Sequence, residues 1–229
     1  MNNKNALLLI GSPKGFKSTS NSLGTYLLDR LNERDFATEK LHIHRLIKSD
    51  KGKEDLLLAV NASDIIILAF PLYIDSLPAS VIKAMEFIAT RRRTMTNLKK
   101  PKFIAISNNG FPEASQNDVA LDICRIFAKE SDFEWVGGLA CGGGGSIDGR
   151  PLEDIGGMVR NVKKALELTA AAIADRSSVP KEAVDLMAKP LVPSWLYRWF
   201  ANYGWKRQAK KHGVRNRIND QPYRKSITP

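Results

Sequence analysis

Residues 6–21 read ALLLIGSPKGFKSTSN, and the rest of the chain is read outward from them. Residues 6–10 form an apolar run without alternation, as expected of a strand buried on both faces. Gly11-Ser12-Pro13 turns the chain, and the loop that follows carries Lys14, Gly15 and Lys17. Ser18-Thr19-Ser20-Asn21 then leads into a helical pattern. A strand that passes through such a loop into a helix N-terminus is an anion site in outline. The first N–H groups of the helix have no internal partner, and its dipole is positive at that end. Hydroxyls add donors, and Lys14 or Lys17 adds charge. The same hydroxyls are also what helix caps are made of, so the loop alone leaves both readings open.

Two nucleotide motifs are excluded at once. Gly11, Lys17 and Ser18 fit a G-x-x-x-x-G-K-[ST] loop, but Phe16 stands where the second glycine must let the backbone wrap the phosphates. The G-x-G-x-x-G dinucleotide fingerprint is missing after this strand. What remains is a loop for one terminal phosphate.

Beyond it, Leu23, Tyr26, Leu27 and Leu31 recur at helical spacing, giving a first helix from Ser18 to about Arg34. Residues 38–44 alternate as a second strand, with His42 and His44 on one face. With no third ligand nearby, that pair reads as solvated edge-strand histidines, and no metal site is expected. A short helix over 54–60 precedes DIIILAF at 64–70, the clearest core strand. Pro78 opens the next helix, with Val81, Ile82, Met85 and Ile88 on its buried stripe. Arg91-Arg92-Arg93 ends it and reads as a solvated cationic terminus. A fourth strand at 102–107 runs into Asn108-Asn109-Gly110-Phe111-Pro112-Glu113. A helix over 118–131, a strand over 133–140 and the loop CGGGGS at 141–146 follow. The four glycines either admit something large close to the backbone or form a mobile flap. One long helix over 152–176 closes the unit.

Strands alternating with helices predict an α/β three-layer sandwich around a parallel sheet, with the simplest order 2-1-3-4-5. Ligands of such sheets bind outside the carboxyl ends of the strands, at the switch point between strands 1 and 3. The loops that fall there, residues 11–21, 71–77, 108–113 and 141–146, are the ones richest in turn and polar residues.

Bulk properties agree with one soluble domain and an appended tail. The chain has 229 residues, 43% hydrophobic and 26% charged. Cys124 and Cys141 lie far apart with no C-x-x-C, as in a reduced, cytoplasmic protein without a disulfide framework. No run approaches the roughly 18 apolar residues of a membrane span. The net charge of +11 is uneven: from residue 190 onward there are nine Lys/Arg and one Asp, leaving +3 for everything before. We divide the chain into a domain at 1–178 and a helical basic extension at 179–229. In the extension, Trp195, Leu196, Trp199, Phe200 and Tyr203 fall on one helical face, followed by a basic run from Lys206. This face can pack on its own domain or a dimer partner, lie on an anionic membrane surface, or bind nucleic acid. We rank the readings in that order, so a homo-oligomer is expected, with peripheral membrane contact as the second reading. No nucleic-acid motif is present and no nucleic-acid partner is expected.

At three places the sequence resembles the flavodoxin-like NAD(P)H-dependent FMN reductases. Gly11–Ser20, G-S-P-K-x-x-x-S-T-S, resembles the family's phosphate loop, often written with Arg where Lys14 stands. P-L-Y-x-x-x-L-P-A-x-x-x-K, from Pro71 to Lys83, resembles the second flavin loop and the helix after it, and is the most specific of the three. N-N-G-F-P-E, from Asn108 to Glu113, resembles the third loop. The resemblance covers roughly residues 5–175 and excludes the tail. It implies a flavodoxin-like fold with FMN and NAD(P)H as cofactors and a quinone, a flavin or another small molecule as electron acceptor. It implies an FMN site made of Ser12, Lys14, Ser18, Thr19 and Ser20 at the phosphate, with Pro71, Leu72, Tyr73 and Ile74 along the ring. Asn108, Asn109, Gly110 and Phe111 lie toward its pyrimidine end. Hydride transfer to a flavin is the cofactor's chemistry, so no catalytic acid or base is assigned. Two other classes stay open, an electron-transfer flavoprotein without nicotinamide activity and a flavin-free binding module on the same fold.

Overall fold

In the computed structural model, which describes residues 4–221, the apolar runs become β1 (Asn5–Ile10), β2 (Ala37–His42), β3 (Ile65–Pro71), β4 (Lys102–Asn108) and β5 (Glu134–Cys141). They form one sheet of order β2-β1-β3-β4-β5, with every pair parallel. The helices are α1 (Thr19–Asn32), α2 (Ile43–Leu46), α3 (Asp50–Ala62), α4 (Ala79–Arg93), α5 (Asp118–Glu130), α6 (Arg160–Ala174), α7 (Lys181–Met187) and α8 (Ser194–Lys211).

Two cores explain why the strands do not alternate in polarity. Ala6, Leu8 and Ile10 of β1, with Ile65, Ile67 and Ala69 of β3, pack against α1, α6 and α7. Leu7 and Leu9, with Ile66, Leu68 and Phe70, pack against α3, α4 and α5. Successive side chains enter alternate dry layers, so residues 6–10 of β1 and 65–70 of β3 are all buried. β2 lies at the sheet edge and keeps only its last residue buried.

Several elements depart from expectation. β2 stops at His42, and His44 is the second residue of α2, so the two histidines are not strand neighbours on one face. Nor is His42 solvated, at 9% exposed. α3 begins at Asp50 rather than near 54 because Ser49 caps it, its Oγ accepting from the Gly52 N–H at 3.1 Å. The long helix over 152–176 is broken: a 3-10 run over Leu152–Val159 contains Gly156 at φ 71°, and α6 starts only at Arg160. A left-handed glycine interrupts the helical ladder at little steric cost.

In the arginine run at the end of α4, Arg91 and Arg93 are exposed as expected, but Arg92 is not. Arg92 is 4% exposed. Its guanidinium donates to the carbonyls of Ser131 and Lys99, both at 2.8 Å, and to Asn61 Oδ1, and it lies 4.6 Å from the Phe133 ring centroid. Arg91 pairs with Glu54 and Arg93 with Glu130 across neighbouring helices.

The compact unit extends past residue 178. The Val179 N–H donates to the Val136 carbonyl at 2.8 Å, covering part of the edge of β5. Gly137, at φ 139°, makes the approach possible, because a Cβ there would lie 2.7 Å from Val179 Cβ. Ala183 and Met187 of α7 are fully buried. The chain divides into Met1–Leu191 and Val192–Pro229, which moves the expected boundary at 178/179 to 191/192. Within the second unit, α8 carries Trp199 and Tyr203 stacked at 6.0 Å, both exposed. The side chains of Trp195, Leu196 and Phe200, placed on the same face by the sequence pattern, lie outside the described residues. No described helix is long and apolar enough to cross a membrane.

Candidate functional site

Four loops leave the carboxyl ends of β1, β3, β4 and β5 and meet above the β1/β3 switch point. Between them lies a cleft of about 250 Å³. Ser12, Lys14, Ser18, Thr19 and Ser20 line it from the first loop, Pro71, Leu72 and Tyr73 from the second, and Asn108, Asn109 and Gly110 from the third. Every site residue expected from sequence lines this cleft except Ile74 and Phe111. Ile74 is 99% exposed at the tip of its loop, and Phe111 also points outward.

The hydroxyl cluster sorts into different roles. Ser18 is the N-cap of α1: its Oγ accepts from the Asn21 N–H at 3.2 Å and donates to the Gly15 carbonyl at 2.7 Å. A hydroxyl has one proton, so Ser18 has none left for an anion. Thr19 Oγ1 donates to the Gly144 carbonyl at 2.7 Å. Of Ser18, Thr19 and Ser20, only Ser20 Oγ keeps its proton, because it serves as acceptor to Asn108 Nδ2 at 2.8 Å. The N–H groups of Thr19 and Ser20, in the first turn of α1, add donors without an intrahelical acceptor. The anion end of the cleft is therefore a helix N-terminus plus Ser20, flanked by exposed Lys14 and Lys17.

Asn108 is the strut of the site. From the end of β4 its Nδ2 donates both to Ser20 Oγ and to the Phe70 carbonyl at 2.9 Å, tying the ends of β3 and β4 to the first turn of α1. Asn109 donates through Nδ2 to the Glu113 carbonyl at 3.0 Å, which fixes its amide orientation. Its Oδ1 is left buried with no donor.

The second loop is a tight two-residue turn. The Tyr73 N–H donates to the Ser76 carbonyl at 2.8 Å, and the Ser76 N–H returns to Tyr73 at 3.1 Å. Ile74 and Asp75 between them sit at φ 50° and 56°. For a β-branched residue the left-handed region is strained. The Leu72 N–H is also spent, on the Asn108 carbonyl at 2.8 Å, so of the backbone N–H groups of residues 72–74 only that of Ile74 remains for a ligand.

The site drawn from sequence left out four lining residues: Lys17, named there only as an alternative source of charge, and Gly144, Gly145 and Asp148. The glycine loop is no flap awaiting a ligand. A Cβ on Gly142 would lie 2.3 Å from the Pro112 carbonyl oxygen, and one on Gly149 would lie 2.6 Å from the backbone of Lys17. What comes close to these glycines is the protein's own backbone, so the fourth loop closes the cleft by packing on the first and third. The run of glycines was the available signal, but its partners are set by tertiary contact.

The two cysteines are buried away from polar partners that could activate them, and burial raises both thiols, that of Cys141 to about 12. Among the described residues no group of three His, Cys, Asp or Glu side chains could hold a metal ion.

Comparison with protein-family models and with curated proteins returns no match. Solved structures do match. An FMN-dependent NADH-azoreductase from Bacillus anthracis, determined in complex with FMN, superposes with a TM-score of 0.54 at 12% identity, over 75% of this chain and 99% of that one. A flavone reductase gives 0.56 at 13% identity, over 77% of this chain and 65% of that one. A WrbA-like flavodoxin from Agrobacterium tumefaciens gives 0.52 at 13% identity, over 76% and 99%. Likeness at this level of identity, together with the strand order 2-1-3-4-5 and helices on both faces of the sheet, establishes that the chain has the flavodoxin-like fold.

Proposed function

We propose that the protein is an FMN-dependent oxidoreductase that takes hydride from NAD(P)H and passes electrons to a quinone, a flavin or another small acceptor. The observation that carries this reading is the convergence of the phosphate-type helix N-terminus, the Tyr73 turn and the buried Asn109 carboxamide on one cleft at the switch point. That FMN-dependent and flavodoxin-type proteins share the fold supports it.

The residues present fit FMN. A phosphomonoester needs donors and positive charge without a metal. The Thr19 and Ser20 N–H groups, Ser20 Oγ and the two lysines offer both. Oxidised isoalloxazine has one ring N–H, at its pyrimidine edge, and that donor needs an acceptor. Asn109 Oδ1 is a buried acceptor without a donor, and a buried orphan of this kind costs about 1–3 kcal/mol until it is satisfied. Leu72 and Tyr73 supply an apolar wall, with Tyr73 43% exposed beside the cleft. FMN supplies the hydride-accepting chemistry when bound. The chain's own groups hold the phosphate, orient the ring and exclude water from its buried edge, and no side chain is assigned as acid or base.

Titrating the purified protein with FMN tests the reading, followed by visible absorbance and flavin fluorescence. Perturbed flavin bands, and NADH or NADPH oxidation with a quinone acceptor, are expected. A protein that leaves the flavin spectrum unchanged would sink the proposal.

A further inference from the structure

The phosphate loop has a second face. Behind the cleft, between the loop after β1 and the end of β2, lies another cavity of about 270 Å³. Ser12, Lys14 and Lys17 line both cavities, so the loop forms the wall between them. On this far side Pro13, Gly15, Phe16, His42, His44 and Arg45 complete the lining, and no carboxylate is among the lining residues.

The charges here are not neutralised. Lys14, Lys17 and Arg45 make no ion pair among the described residues. Arg45 instead sits 5.5 Å from the Phe16 ring centroid, which props its charge beside the cavity, while Lys40, 5.8 Å from the same ring, donates to Thr25 Oγ1 at 3.1 Å. His42 packs edge-on to the same ring, at 4.3 Å. It is nine-tenths buried, and neither Nδ1 nor Nε2 has a hydrogen-bond partner. A buried imidazole with both nitrogens unmet is costly, and it lines a cavity in which the Lys14, Lys17 and Arg45 side chains bring positive charge. Burial, with Arg45 and Lys40 nearby, lowers the pKa of His42, so at neutral pH its ring is an N–H donor and an acceptor rather than a further charge.

We propose that this cavity is a second anion site, specific for a phosphomonoester dianion held by Arg45, the loop lysines and a His42 N–H. Resting on the function proposed above, its natural source is the 2′-phosphate of NADPH, the one group that distinguishes NADPH from NADH. An arginine at such a site offers two parallel donors to phosphate oxygens. The chain would then prefer NADPH, with the discriminating charge on the opposite side of the phosphate loop from the flavin ring.

The test is calorimetric titration of the full-length protein, as purified, with inorganic phosphate, NADP+ and NAD+, repeated for Arg45→Gln and Arg45→Lys. Arg45 is exposed and does not line the FMN cleft, so thermal melting and FMN affinity should match wild type in both variants. NADP+ should bind at least about tenfold more tightly than NAD+, Arg45→Gln should remove that preference, and Arg45→Lys should restore part of it. Phosphate binding that is lost in Arg45→Gln, with NADP+ and NAD+ equal, would uphold the pocket and assign it to free phosphate. Phosphate binding unaffected by Arg45→Gln but lost in Ser20→Ala would belong to the FMN cleft and overturn the proposal. So would the absence of both phosphate binding and NADP+ preference. Failure of FMN to bind while phosphate still depends on Arg45 would overturn the flavin reading and leave this pocket standing.

Discussion

Ser18 and Ser20 are two residues apart in sequence and carry the same hydroxyl, yet their replacement by alanine should give opposite phenotypes. Ser18 Oγ spends its proton on Gly15 and its lone pair on the Asn21 N–H, both inside the loop. Ser18→Ala therefore removes a helix cap and should cost about 1 kcal/mol of folding stability, with little change in FMN affinity. Ser20 Oγ receives a hydrogen bond from Asn108 and has its proton free toward the cleft. Ser20→Ala leaves Asn108 Nδ2 its second partner, the Phe70 carbonyl, so the stability cost should be small, at most about 1 kcal/mol. A hydroxyl donor to a phosphate is charge-assisted and worth about 1.5–3 kcal/mol, or roughly 10- to 150-fold in Kd. Urea denaturation of the apo proteins and flavin fluorescence titration of the same samples separate the two effects. The reasoning is refuted if Ser20→Ala binds FMN like wild type, or if Ser18→Ala weakens FMN while its urea midpoint stays unchanged.

Three further outcomes are expected. Ile74→Gly should raise the thermal midpoint, because left-handed isoleucine costs about 1–2 kcal/mol and an exposed Ile74 returns little burial; a lower midpoint would show that the turn is not strained. Cys141 should resist an aromatic disulfide reagent in the native state and react on unfolding, and because its thiol is raised to about 12 when folded, the stability it contributes is complete below its ordinary value near pH 9 and declines as pH rises from there toward 12; fast labelling of native protein would contradict its burial. A chain ending at residue 191 should melt like the full-length protein, whereas one ending at 178 should lose about 2–4 kcal/mol with the burial of Ala183 and Met187 and the Val179–Val136 hydrogen bond; equal urea midpoints for the two truncations would return the boundary to 178.

How much was legible follows from the range of the forces involved. Unbroken apolar runs such as 65–70, short and rich in β-branched residues, fit strands between two dry layers, and strands alternating with helices leave few topologies, so sheet order and the position of the cleft follow from sequence alone. The same holds for which loops meet, because the carboxyl ends of parallel strands share one side of the sheet. Partners distant in sequence were not legible. The role of Thr19 is set by Gly144, 125 residues away, and that of Ser20 by Asn108, 88 residues away. Arg92 looked like its solvated neighbours until Ser131, Lys99 and Phe133 closed around it. His42 looked like a solvated edge-strand residue, but Phe16 packs against it and it is buried. Periodicity and turn chemistry report the backbone's local preference, whereas the state of a polar side chain depends on which atoms share its few ångströms of space, and only the folded chain decides that.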